Sequence, residues 1–106
     1  MTYYNLFDPE KLKYSAGHAS CSMLGAEQGA VGDCEAGISI YDQPEFPTPL
    51  SHTFQEGFYV IAGEGMAMVG EEVFPIRQGM CFLVPRNTPH TLCSQESVTV
   101  FWFHCT

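Results

Sequence analysis

The sequence predicts an all-β domain, folded as a closed antiparallel barrel or a sandwich, and three observations carry this. Short runs rich in β-branched and aromatic residues recur along the chain, each ended by Gly, Pro or an acidic turn. The runs follow one another about every 6–12 residues, the spacing of strands joined by tight turns. Beyond one turn at Asp8–Lys13, no stretch has the period of an amphipathic helix.

Strands are expected at His18–Leu24, Gly37–Tyr41, Leu50–Gln55, Phe58–Ala62, Met66–Val69, Glu72–Ile76, Met80–Val84, His90–Cys93 and Val98–His104. The turn Val69-Gly70-Glu71-Glu72 reads as a tight hairpin because Gly70 accepts positive φ. Gly63-Glu64-Gly65 and Gln78-Gly79 mark two further reversals. Pro44, Pro47 and Pro49 make Gln43–Pro49 a stiff extended loop, since proline cannot donate to a ladder. Met66, Met68 and Met80 stand at strand spacing and read as core.

Composition bounds the function. The 106 residues suit one core, and 45 % hydrophobic with 13 % aromatic residues fill it without disulfides. Twelve acidic against four basic residues give a net charge of −8, which repels nucleic acid and anionic membranes. The apolar runs are too short to span a bilayer, and no basic-then-apolar leader opens the chain. Cys21, Cys34, Cys81, Cys93 and Cys105 are odd in number and form no CxxC pair, which suits buried thiols in a reducing compartment. A cytoplasmic location is expected.

The chemistry concentrates in two patterns, His52-x3-Glu56-x6-Gly63 and Gly79-x5-Pro85-x-Asn87-x2-His90. Imidazole and carboxylate suit Fe, Mn, Ni, Co, Cu or Zn. On one regular strand His52 and Glu56 would stand about 13 Å apart, too far to share an ion. The strand must therefore bend, or Glu56 must follow a turn around Gln55 to Gly57. If the register differs by one, Gln55 replaces Glu56 as a ligand. Two prolines stiffen the loop before His90, and Asn87 tolerates the left-handed conformation there. A buried glutamate is costly unless paired or bound to a cation, although such residues can also simply hydrogen-bond one another.

These residues resemble the cupins, specifically small single-domain ones. Their first motif reads G-x5-H-x-H-x3-4-E-x6-G and their second G-x5-P-x-G-x2-H-x3-N. His52, Glu56 and Gly63 match the first; Gly79, Pro85 and His90 match the second, across about the last sixty residues from Pro47 to His104. The resemblance implies a double-stranded β-helix (jelly-roll) barrel over residues 1–106, with an N-terminal extension of about 1–15. It also implies a site for a divalent transition metal (Fe, Mn, Ni or Zn) at His52, Glu56 and His90. Leu50 stands where the family has its first histidine, Asn87 replaces a glycine, and Ser94 replaces the closing asparagine. The three remaining donors have the composition of a two-histidine, one-carboxylate triad.

Three further residues are candidates for chemistry. His104 shares a strand face with Val100 and Trp102; it is a core or edge histidine, or it enters the cavity as a substitute ligand or an acid/base group. Tyr41 offers a hydroxyl to a substrate, as does Tyr59, or simply packs. Arg86 is placed to grip a carboxylate or phosphate, or is a solvated loop residue. Two function classes stay open: metal-dependent isomerase, lyase or dioxygenase chemistry on a small polar metabolite, and a non-enzymatic small-molecule binding or sensor barrel. A homodimer is expected, because Val98–Phe103 and similar runs carry more apolar surface than one small barrel hides.

Overall fold

The computed structural model describes residues 3–105. Eight strands follow in order: β1 Lys13–Ser15, β2 His18–Leu24, β3 Glu35–Tyr41, β4 Gln55–Val69, β5 Glu72–Arg77, β6 Cys81–Val84, β7 His90–Cys93 and β8 Val98–Cys105. Every pairing is antiparallel. The strands run β1-β2-β3-β8-β4-β5 across the sheet, and β6 and β7 both add to β4. The first half of β4 lies between β8 and β6, and its second half lies between β5 and β7. One strand thus belongs to both walls and curls the sheet into a double-stranded β-helix barrel, the fold that the resemblance implies.

Alternation along the strands builds the core. In β8, Val98, Val100 and Trp102 point inward and are buried, while Thr99, Phe101 and Phe103 are half-buried on the outer face. Val60, Ile76, Val84, Leu92, Val98 and Val100 are almost wholly removed from solvent. Each contributes about 1.5–3 kcal/mol by burial.

The expected reversal at Gly63-Glu64-Gly65 is not a turn: those residues lie inside β4. A register shift between Val60 and Ala62, together with Gly63 at φ +82°, bends the strand from one wall to the other. Gly65 has no room for a side chain, because a Cβ there would run into the Cys93 carbonyl oxygen of β7. The expected strand Leu50–Gln55 is also corrected. Leu50 forms a single bridge opposite His90, residues 51–54 are irregular, and β4 starts at Gln55. The break demanded by the His52–Glu56 spacing thus falls before Gln55. Gly57 is not the kink; it sits inside the strand, where the Phe103 ring occupies the space of a Cβ.

The hairpin at Gly70-Glu71 forms as expected. Val69 pairs with Glu72, and only the first loop residue has positive φ, +61°, as in a type II′ turn. Gly79, at φ +95°, makes the reversal into β6. The anticipated turn at Asp8–Lys13 is a 3-10 turn at Pro9–Lys11, its Asp8 carboxylate accepting from the Glu10 N–H at 3.0 Å. A second 3-10 turn at Ala26–Gln28 and the edge strand β1 carry no strong local signal, and the sequence reading lacks them. The cysteines are unpaired, but Cys34 and Cys81 are exposed rather than buried.

Candidate metal centre

Glu56 is the second residue of β4, so it shares the inner face with Phe58 and Val60. Its direct cross-strand neighbours are Val84 on β6 and His104 on β8. His90 opens β7, at the end of the Pro85–Pro89 loop, where Asn87 takes φ +58°. The Asn87 N–H donates to the His52 carbonyl at 2.6 Å, tying that loop to the irregular segment that carries His52. Leu50 and His90 exchange both backbone hydrogen bonds, at 3.0 and 2.8 Å. Directly opposed residues of an antiparallel pair present side chains on one face, so Leu50 faces the same side as His90.

His52, Glu56 and His90 each bring one ligand atom, all within 4.8 Å of one another. His90 Nε2 lies 2.9 Å and His52 Nε2 3.7 Å from Glu56 Oε1. Two donors each about 2.1 Å from one ion stand about 3.0 Å apart at right angles and about 3.4 Å apart at a tetrahedral angle. The observed separations bracket those values. The fourth member of the cluster is His104, whose Nε2 lies 2.9 Å from Glu56 Oε2.

Burial by itself would raise the Glu56 carboxyl, but hydrogen bonds and charge from His90 and His104 outweigh it and hold the carboxyl below its ordinary range. Burial likewise pushes the His90 imidazole down, yet the contact with Glu56 and the Thr88 carbonyl raise it above its ordinary value. The two partners agree in direction. For His52 burial wins over the attraction of Glu56, and the imidazole is lowered.

The hydrogen bonding gives a direct test of whether a cation fits. His90 Nδ1 lies 3.1 Å from the Thr88 carbonyl, which can only accept, so Nδ1 carries a proton. In the neutral ring, Nε2 then points a lone pair at Glu56 Oε1 from 2.9 Å. Two acceptors at that distance need a cation between them: an extra proton on His90, or a metal ion that His52 also reaches. The carbonyl at Nδ1 is the partner a metal-bound histidine ordinarily has. The donor set therefore fits a first-row divalent ion.

The other sequence candidates scatter. Gln55 lies on the opposite face of β4 from Glu56, where its Oε1 is 3.9 Å from Cys105 Sγ, so it is not part of the cluster. Arg86 is exposed on its loop, and its side chain makes no ion pair or hydrogen bond among the described residues. Tyr41 is buried at the end of β3, stacked on His18 at 4.4 Å, and burial followed by the Glu56 charge pushes its phenol far up. Among the described residues, neither His18 nor Tyr41 makes a hydrogen bond, ion pair or ring stacking with the triad. Tyr59 lies on the outer face, 44 % exposed.

Residues that the sequence reading did not single out complete the surroundings. Phe54 stacks on His52 at 4.8 Å and packs against His104 at 4.1 Å, while Trp102 stacks on His104 at 4.9 Å. Phe54 had a weak signal, two residues from His52; Glu35, whose Oε1 lies 3.9 Å from His104 Nδ1, had none. A cleft of about 550 Å³ opens onto Phe54 and His104 and is rimmed by the loop from Gly25 to Glu35. A larger cleft lies around Gly63–Met66 and Ser94–Ser97 and contains none of the histidines.

A family profile described as Cupin domain matches residues 40–104. Comparison with curated proteins returns no match. Among solved structures, the plu4264 protein from Photorhabdus luminescens aligns with a TM-score of 0.83 at 19 % identity, over 100 % of this chain and 89 % of that one. A Cupin 2 conserved barrel domain protein from Salinispora arenicola aligns at 0.79 and 11 % identity, over 95 % and 86 % of the two chains. Salicylate 1,2-dioxygenase from Pseudoaminobacter salicylatoxidans, solved in an adduct with gentisate, aligns at 0.74 and 18 % identity. That match covers 87 % of this chain but 26 % of the dioxygenase. At such identities the likeness establishes the fold. With the family profile spanning residues 40–104 and its two motif halves meeting around Glu56, this chain belongs to the Cupin domain family.

Proposed function

We propose that the protein is a metal-dependent cupin that acts on a small polar metabolite, by isomerase, lyase or dioxygenase chemistry. One observation carries this reading: His90, its Nδ1 committed to a carbonyl, faces the Glu56 carboxylate with its other nitrogen at 2.9 Å. His52, Glu56 and His90 would hold the ion, leaving positions open for substrate oxygen. A bound divalent ion supplies Lewis-acid polarisation of a carbonyl or other substrate oxygen. The chain's own residues orient and enclose: Phe54 and Trp102 wall the cluster with aromatic faces, and the buried carboxylate gives it its one anionic donor. The dioxygenase among the structural relatives supports oxidation as one of the reaction types.

A second reading has its own observation. Both Glu56 oxygens already have histidine partners, and no buried side-chain nitrogen or oxygen among the described residues lacks one. With His90 protonated, the cluster is self-sufficient, as a metal-free ligand-binding or sensor barrel would require. Elemental analysis of protein purified without added metal, repeated on His52→Ala and His90→Ala, separates the two. The metal reading expects a stoichiometric first-row metal in the wild type that is lost in both variants. Ligand binding undiminished in excess chelator and at pH 5 selects the metal-free barrel.

We further propose a cytoplasmic homodimer with no nucleic-acid or membrane partner. No helix among the described residues is long and apolar enough to cross a membrane. The outer face of β3, β8, β4 and β6 presents Ile38, Phe101, Phe103, Tyr59, Ile61 and Leu83, without a charge among them. On a protein of net charge −8, such a face is where a like-charged second copy can dock without repulsion. Sedimentation at micromolar concentration should give twice 11.8 kDa, and a monomer mass rejects the dimer.

A further inference from the structure

We infer that His104 is a positioning residue for the metal-ligating carboxylate: by holding Glu56 Oε2 it fixes Glu56 as a ligand through Oε1 alone. This deepens, and rests on, the metal reading above.

Glu56 and His104 are direct partners across β4 and β8, so both side chains stand on the inner face of the barrel. His104 Nε2 lies 2.9 Å from Oε2, whereas His52 and His90 both approach Oε1. The two carboxylate oxygens are thereby divided between two tasks. His104 Nδ1 has its nearest acidic oxygen, on Glu35, at 3.9 Å, beyond hydrogen-bond reach. A carboxylate oxygen can only accept, so His104 Nε2 is the N–H donor in its contact with Oε2. Its ring packs against Phe54 at 4.1 Å and Trp102 at 4.9 Å, contacts that restrict its rotation and hold the N–H on Oε2. His104 also stays outside the group of donor atoms that lie within 4.8 Å of one another. It thus does not take the place of the family histidine that Leu50 replaces.

Turning the carboxylate to chelate an ion with both oxygens would bend or break the Oε2 hydrogen bond, so the fixed N–H favours Oε1 as the ligand. The consequence is a centre of three protein donors, His52, His90 and one oxygen of Glu56. Partners of this kind behind a ligand typically govern metal affinity by about 10–100-fold.

The test uses Zn(II) as probe, with fold checked by circular dichroism in chelator. Zn(II) affinity is measured by competition titration for the wild type, His52→Ala, His104→Gln and His104→Leu. The imidazole nitrogens of Zn(II)-loaded wild type are read by two-bond 1H–15N NMR. Positioning expects His104→Gln, whose amide N–H can still donate to Oε2, to bind within about threefold of wild type. It expects His104→Leu to bind about 10–100-fold more weakly. In the wild-type spectrum His104 Nε2 should carry a proton while His52 and His90 bind Zn(II) through Nε2. A metal-bound, unprotonated His104 Nε2 overturns the inference, as does a His104→Leu affinity equal to wild type. So does a His104→Gln loss as complete as that of His52→Ala. The NMR arm decides even if His104→Leu does not fold. Absence of Zn(II) binding by the wild type overturns the metal reading and this inference together, whereas wild-type binding with a flat His104 series overturns the inference alone.

Discussion

Replacing Glu56 by glutamine separates what the carboxylate does for the fold from what it does for a metal. The amide can reproduce the hydrogen bonds of the metal-free cluster: its nitrogen donates to His90 Nε2, and its oxygen accepts from His104 Nε2, the two contacts now seen at 2.9 Å. Two charge-assisted bonds, about 1.5–3 kcal/mol each, become neutral ones of about 1 kcal/mol. Against that loss, the variant no longer buries a charged carboxylate that is 6 % exposed. The two effects offset, so Glu56→Gln should change metal-free stability by no more than about 2 kcal/mol. At about 4–8 °C per kcal/mol, melting in chelator should shift by less than about 15 °C. Metal is another matter. At one hundred times its dissociation constant, an ion stabilises the wild type by about 2.7 kcal/mol, a rise of about 10–20 °C. The variant lacks the only anionic donor, and its rise should vanish at the same Mn(II) or Zn(II) concentration. Thermal melts of both proteins, in chelator and in metal, read all four values. A variant that melts more than about 20 °C lower in chelator would show that the carboxylate is structural. A metal-induced rise equal to wild type would show that the ion, if bound, is bound elsewhere.

Restoring a histidine by Leu50→His, on the face shared with His90, should tighten metal binding by about tenfold or more, and a titration with unchanged affinity would show that the centre has another donor. Gly63→Ala should cost about 2–5 kcal/mol in a denaturant titration, from left-handed strain at φ +82° and from a Cβ that runs into the Ser97 carbonyl; a loss under about 0.5 kcal/mol would refute it. In chelator, NMR titration should find His90 above and His52 below their ordinary value of 6.5, and the reverse order would discredit the geometry. The linked stability has a sign: the raised His90 stabilises fully below pH 6.5 and loses that contribution as pH rises through its folded value, while the lowered His52 costs stability as pH falls from 6.5. Glu56, held low, contributes above its unfolded value and loses that contribution as pH falls through its folded one, so metal binding should weaken in acid through the histidines while Glu56 is still charged.

The sequence by itself determined whatever is written in local chemistry. Alternating apolar residues and turn glycines specify strands, and the Gly70 and Gly79 reversals lie where glycine allows positive φ. The spacing of His52, Glu56 and His90 within two stiff motifs was enough to name the cluster, because prolines and Asn87 limit what the intervening backbone can do. Only the tertiary structure decided which strands oppose one another. Period-2 alternation says that Glu56 and Phe58 share a face, and separately that Trp102 and His104 do; it does not say that the two faces meet. That register places His104 directly opposite Glu56, 48 residues away, and gives the second carboxylate oxygen its partner. The same limit hid the course of β4: Gly63 and Gly65 read locally as a reversal, and only the Ser97 and Cys93 carbonyls packed against them show that they let one strand bend through both walls of the barrel.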